Sequence, residues 1–148
     1  MNVLLLSPGY PADVPQFVRG LAAVGARVYG VGDQPAGSLP AEVRGSLAGY
    51  VHVRSLWNFQ QVADTVVREL RGLKVGRVEC LWEPGIEMAA RLRERFGVDG
   101  LSVEAAQRFR DKELMKLALD NAGIRTPHHR LAESVDDCLA AAEELGFP

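Results

Sequence analysis

Residues 2–7, Asn-Val-Leu-Leu-Leu-Ser, make a short apolar run that Pro8-Gly9 ends. A strand with one face in water alternates apolar and polar side chains. An unbroken run belongs instead to a strand covered on both faces, the condition of a parallel sheet sandwiched by helices. The covering helices follow. Residues 14–24 have helical spacing, with Phe17, Val18, Leu21 and Ala22 on one face and Gly25 as the stop. Residues 27–32 read as a second strand running into a polar loop rich in Gly and Pro, and residues 49–53 as a short third. Asn58 opens a further helix by a capping box with Gln61, after which Val62, Val66, Leu70 and Leu73 keep helical spacing. Residues 77–82 read as a fourth strand, and Pro84 suits the first turn of a helix carrying Ile86, Ala89, Ala90 and Leu92.

Repeated strand–helix units with connections long enough for crossovers predict an α/β fold, a Rossmann-like parallel sheet with helices on both faces. This domain is expected over residues 1–101. From residue 102 to 148 the texture is mostly helical. Ser102 caps one helix, Asp111 starts or continues a second that Gly123 closes in the left-handed position, and Ser134 with Asp137 begins a third. In that last helix Val135, Cys138, Leu139, Ala142 and Leu145 form one apolar stripe.

With 148 residues, 47% of them hydrophobic, the chain can bury a core without covalent staples. Its 17 basic and 19 acidic residues give a net charge of −2 with no basic cluster, which argues against nucleic acid as a partner. No run approaches the roughly 18 apolar residues of a membrane span. Residues 1–7 lack the charged n-region and cleavage site of a leader, so a cytoplasmic protein is expected. Cys80 and Cys138 have neither a disulfide framework nor metal-ligand spacing and read as small hydrophobes.

Doubly wound sheets host many chemistries, so function must come from site signals. The first turn, Ser7-Pro8-Gly9-Tyr10-Pro11, offers one glycine and two prolines where a dinucleotide fold needs several glycines. Asp33 ends the second strand, where such folds meet a ribose, but by itself it reads as a solvated loop aspartate. No Walker A loop, nucleophile elbow or zincin motif occurs. His128 and His129 are adjacent, so an extended backbone would point them apart. Trp57 and Trp82 are most simply core or half-buried anchors.

Three pieces carry a resemblance: Asp111-Lys112-Glu113-Leu114-Met115-Lys116, Asn121-Ala122-Gly123-Ile124-Arg125-Thr126-Pro127, and Leu145-Gly146-Phe147-Pro148. Together they resemble the entry into the ATP-binding half of ATP-grasp ligases. The N-terminal half resembles the pre-ATP-grasp domain of that superfamily, through the Ser7 to Pro11 turn, the Gly30-Val31-Gly32-Asp33 turn, Glu83, and the stretch from Met88 to Gly100. A glutamate after the fourth strand, followed by an "AA-x-L" helix, is most similar to the amino-acid ligase branch.

The resemblance implies a two-step reaction: ATP phosphorylates a substrate carboxylate, and an amine attacks the acyl phosphate. ATP and Mg²⁺ would serve the full-length parent, with a small-molecule carboxylate as substrate. The metal carboxylates and phosphate loop come from the family's C-terminal half, so this piece is expected to be inactive alone and to bind neither cofactor tightly. Lys112 matches the family's DK lysine and would reach ATP phosphates as a point charge; otherwise it is a solvent-facing lysine. Glu83, at the sheet edge where open α/β folds place ligands, would orient substrate, or merely sit well at a helix N-terminus. Ser7, Gly9 and Tyr10 at the same edge would line that pocket, or form a rigid turn shaped by prolines. No residue here is a candidate for catalysis or for a metal. The family arrangement also implies a short strand near Arg130-Leu131 whose sheet lies beyond Pro148. Left unpaired beside an apolar helix, it would favour a homo-oligomer through the C-terminal segment. A non-catalytic Rossmann-like binding or scaffolding module is the alternative.

Overall fold

The computed structural model describes residues 1–146. Phe147 and Pro148, part of the Gly-Phe-Pro motif, lie outside the described residues. The chain divides into two compact units, Met1–Ala106 and a second from Gln107 onward.

The first unit is a four-stranded parallel sheet in the order β3-β2-β1-β4, with β1 Asn2–Leu6, β2 Arg27–Gly32, β3 Leu47–His52 and β4 Arg77–Cys80. β1 pairs with both β2 and β4 and is covered on both faces, which explains its unbroken apolar run: Val3, Leu4, Leu5 and Leu6 are all buried. On one face, Leu5 and Val28 pack with Val14 and Val18 of α1 (Val14–Ala23) and Val43 of α2 (Ala41–Ser46). On the other, Leu4, Leu6, Val31, Val51 and Val78 pack with α3 (Phe59–Glu69) and α4 (Ile86–Phe96) through Val62, Val66, Ala89 and Leu92. Each fully buried leucine or valine contributes about 1.5–3 kcal/mol relative to an exposed one.

Local signals set the helix ends. The Asn58 carboxamide accepts the Gln61 amide at 3.1 Å, satisfying one of the donors that every helix start leaves without a partner. Asn58→Ala should therefore cost about 1 kcal/mol in urea unfolding; an unchanged midpoint would show that packing of Val62 and Val66 alone holds α3. Gly97 closes α4 with φ 61°, a left-handed position suited to glycine.

Some expectations give way. The polar loop after β2 contains a 3-10 turn, Ala36–Ser38, and the short helix α2, tied to the sheet face by Val43. Gly30 and Gly32 lie inside β2 and form no turn. Phe17 points outward; the buried face of α1 runs through Val14, Pro15 and Val18. β4 stops at Cys80, and Leu81 is exposed.

α5 (Val103–Arg110) carries the boundary between the units. The second unit holds α6 (Lys112–Asn121), capped by Asp111 accepting the Leu114 amide, and α7 (Val135–Leu145), capped by Ser134 accepting the Asp137 amide. Gly123 takes φ 67° after α6. The short strand expected near Arg130-Leu131 does not form: residues 124–132 carry no regular structure, because a strand needs a neighbour to pair with and this unit has none among the described residues. Every residue of α7 except Ala141 and Ala142 is exposed, so its apolar stripe is uncovered.

Candidate functional site

The chain builds β1, β2 and β3 outward in one direction, then returns to lay β4 against the other side of β1. Loops leaving β1 and β4 therefore diverge, and open α/β sheets bind ligands in the crevice this creates beyond the strand C-termini. A pocket of about 200 Å³ lies there, lined by Ser7, Pro8, Tyr10, Asp33, Tyr50 and Trp82, with Gly32, Gln34 and Leu39. A more open depression of about 410 Å³ in the second unit is walled by the single turn from Asp120 to His129, without convergence of separate elements.

The turn after β1 is held tightly. Ser7 has φ 51°, a sterically costly conformation for a residue with a Cβ, and its amide donates to the Val31 carbonyl at 2.7 Å. Its hydroxyl donates to the Tyr10 carbonyl at 2.9 Å, and the Tyr10 amide returns to the Ser7 carbonyl at 3.2 Å. The Tyr10–Pro11 peptide is cis. Gly9 packs inward: a Cβ there would stand 2.9 Å from Leu39 Cδ2 and 3.1 Å from Gln34 Oε1.

Tyr50 is the residue that sequence reasoning missed. Its ring lies along β2 over Gly30 and Gly32. A Cβ at Gly30 would meet both Pro8 Cγ and Tyr50 Cδ2 at 2.9 Å, and one at Gly32 would meet the Tyr50 hydroxyl at 2.6 Å. Glycines two apart in a strand share a face, and that period was the available signal for a close approach. The Tyr50 hydroxyl donates to the Gln34 carbonyl at 2.7 Å. Burial, and then the nearby Asp33 charge, push its pKa up to about 12, so it stays neutral through the ordinary pH range. Asp33 is anchored rather than merely solvated: its Oδ2 accepts the Leu56 amide at 3.4 Å.

An aromatic group assembles above the crevice from three separate loops. Tyr10 meets Trp82 edge-on at 5.4 Å between ring centroids, and Trp57 leans on Trp82 at 5.3 Å. Trp57 is thus no core anchor; it is 62% exposed. Cys80, beneath this group, donates to the Trp82 carbonyl at 3.2 Å, and burial raises its pKa, so the thiol stays protonated.

Of the residues singled out from sequence, Ser7 and Tyr10 line the pocket, Gly9 packs against its lining residues Leu39 and Gln34, and Glu83, itself exposed, begins the 3-10 turn Glu83–Gly85 just past Trp82. Lys112, in the second unit, is exposed at the first position of α6. Lys116 Nζ donates to the Pro127 carbonyl at 3.1 Å, and His129 lies 3.8 Å from Glu113. Among the described residues, no three His, Cys, Asp or Glu side chains converge. The donor set for Mg²⁺ therefore does not fit these residues, and no step through a metal is assigned to them. No helix of the described residues is long and apolar enough to cross a membrane.

No family model matches the chain. Alanine–anticapsin ligase of Bacillus subtilis is 29% identical over 111 residues, covering 70% of this chain and 24% of that protein. The N-terminal section of the carbamoyl phosphate synthase large chain of Aquifex aeolicus is 33% identical over 73 residues, covering 45% of this chain and 13% of that protein. The chain thus spans about a quarter or less of these curated relatives. Among solved structures, L-amino acid ligase from Bacillus licheniformis superposes with a TM-score of 0.71 at 17% identity, covering 88% of this chain and 35% of that one. Phosphoribosylglycinamide synthetase from Anaerococcus prevotii superposes with a TM-score of 0.72 at 20% identity, covering 99% and 35%. At such identities the structural likeness is one of fold. The homologues of this chain are ATP-grasp ligases, and it corresponds to their N-terminal portion.

Proposed function

We propose that this chain is the N-terminal portion of a cytoplasmic ATP-dependent carboxylate–amine ligase working through an acyl phosphate, and that it is inactive by itself. The observation that carries the reading is the crevice at the β1/β4 switch point, walled by Ser7 and Tyr10 on one side and Trp82 on the other with Glu83 next along the chain, in a protein whose homologues are ligases. The crevice holds a small substrate, with Glu83, Ser7, Gly9 and Tyr10 as its binding residues. Lys112 contributes a cation to the phosphates of ATP, and Mg²⁺ is held by carboxylates outside these residues.

The test uses the longer ligase of which this chain would be part: ADP release should require both a carboxylate substrate and an amine. ATP hydrolysis indifferent to both, or none under any substrate pair, removes the reading. The 148-residue chain itself should bind Mg-ATP no better than about millimolar, since it offers one candidate cation and no glycine-rich phosphate loop. A low-micromolar calorimetric constant would show a complete nucleotide site.

The uncovered face of α7, where Val135, Leu139 and Leu145 are all exposed, docks in this reading against a second copy of the chain. Sedimentation should give a concentration-dependent mass, with amide exchange in residues 135–145 slowing as the concentration rises. A monomer at all concentrations with slow exchange there would overturn the docking.

A further inference from the structure

The switch-point pocket has a one-sided chemistry. Among its described lining residues the only carboxyl group is that of Asp33, and neither lysine, arginine nor histidine lines it. Two hydroxyls use their protons inside the protein, Ser7 on the Tyr10 carbonyl and Tyr50 on the Gln34 carbonyl, so what each presents to a ligand is oxygen lone pairs. The Tyr50 hydroxyl also stays neutral across the working pH range.

Backbone donors are scarce in the turn after β1 as well. An anion site at a strand-to-helix turn needs several free amides. Here Pro8 and Pro11 have none, the Ser7 amide is engaged by Val31, and the Tyr10 amide by Ser7. Only Gly9 remains in that turn. The neutral donors left on lining side chains are the Trp82 indole, the Tyr10 hydroxyl and the Gln34 amide. A phosphate or carboxylate would find no lysine or arginine among the lining residues and no amide nest in the turn after β1.

A cation finds the reverse. Tyr10, Tyr50 and Trp82 line the pocket, Trp57 backs Trp82, and the negative potential over aromatic faces attracts ammonium groups. Asp33 Oδ2 is fixed by the Leu56 amide, which holds the carboxylate in place at the end of β2.

We propose that this pocket takes the protonated amino group of a small amine, held by the Asp33 carboxylate and the aromatic faces of Tyr10 and Trp82, and that it rejects phosphorylated ligands. The proposal rests on the ligase reading only in making this amine the nucleophilic substrate; the charge preference comes from the lining alone.

The test titrates the chain at constant ionic strength with ethylammonium and tetramethylammonium chloride, and separately with sodium acetate and inorganic phosphate, following tryptophan fluorescence and indole N–H shifts. Saturable responses to the ammonium salts are expected, with none to acetate or phosphate. Asp33→Asn, which keeps the acceptor for Leu56, should bind ethylammonium about tenfold more weakly. Tyr10→Leu, which leaves Asp33 untouched, should also weaken it and serves if the first variant fails to fold.

Absence of a saturable ammonium response, an equal or stronger response to phosphate or acetate, or parental affinity in a folded variant would overturn the proposal. Ammonium binding here combined with no amine-dependent ADP release from the longer protein keeps the pocket and removes the ligase reading. Amine-dependent ADP release without ammonium binding does the opposite.

Discussion

Arg93→Ala should lower the unfolding free energy by about 2–4 kcal/mol, the scale of stranding buried acceptors. Arg93 is the one charged side chain buried among the described residues. Its Nε donates to the Val78 carbonyl at 2.8 Å, Nη1 to the Leu101 carbonyl at 3.3 Å, and Nη2 to Glu79 at 2.9 Å. Val78 and Glu79 belong to β4, which pairs with β1 on one side only, so the guanidinium covers backbone that would otherwise be an open sheet edge. It also ties α4 to the turn ending at Leu101, where Gly100 leaves room for it: a Cβ at Gly100 would stand 2.8 Å from Arg93 Cδ. Glu79 is 43% exposed at its side chain, so the ion pair itself is screened and adds little. Arg93→Met separates the effects, because it restores most of the packed stem without donors. Urea unfolding should place it nearer to alanine than to the parent. Parental stability in Arg93→Met would show that packing, and not the carbonyl contacts, is what Arg93 supplies.

Lys112→Ala should leave folding nearly unchanged and, in the longer ligase proposed above, weaken ATP use by about 1.5–3 kcal/mol, roughly 10- to 150-fold in kcat/KM for ATP. The stability half of that statement follows from position. Lys112 is the first residue of α6, at the positive end of the helix dipole where a cation is disfavoured, and its side chain is exposed. The helix start is secured by Asp111 instead. A lysine there gives the helix nothing, which leaves ligand contact as its use in this reading. Steady-state kinetics with an unaltered ATP dependence would remove Lys112 from the nucleotide site; a lowered melting temperature with unaltered kinetics would make it a structural residue.

Much of the architecture can be read from the chain because its causes are local. An unbroken apolar run marks β1 as doubly covered, and Asn58, Asp111 and Ser134 cap their helices by contacts within three residues. Where a feature depends on partners far along the chain, local reading fails. α2 went unseen because it is six residues long and buries only Val43, too little for a helical period. The strand near Arg130-Leu131 was inferred from a resemblance and does not form, since pairing requires a neighbour that these residues do not supply.

The candidate site divides in the same way. Ser7, Tyr10 and Glu83 could be placed at the ligand edge of the sheet from the expected strand ends alone, because each follows a strand at its C-terminal end. The sequence by itself determined the α/β class and the capped starts of α3, α6 and α7, which follow from composition and spacing over a few residues. Tertiary structure alone decided that Asp33 and Tyr50 share a pocket with Ser7, that Gly30 and Gly32 are a bed for a ring, and that Tyr10, Trp57 and Trp82 meet. Those contacts join residues tens of positions apart, and their geometry comes from strand register and loop closure, which no local preference encodes.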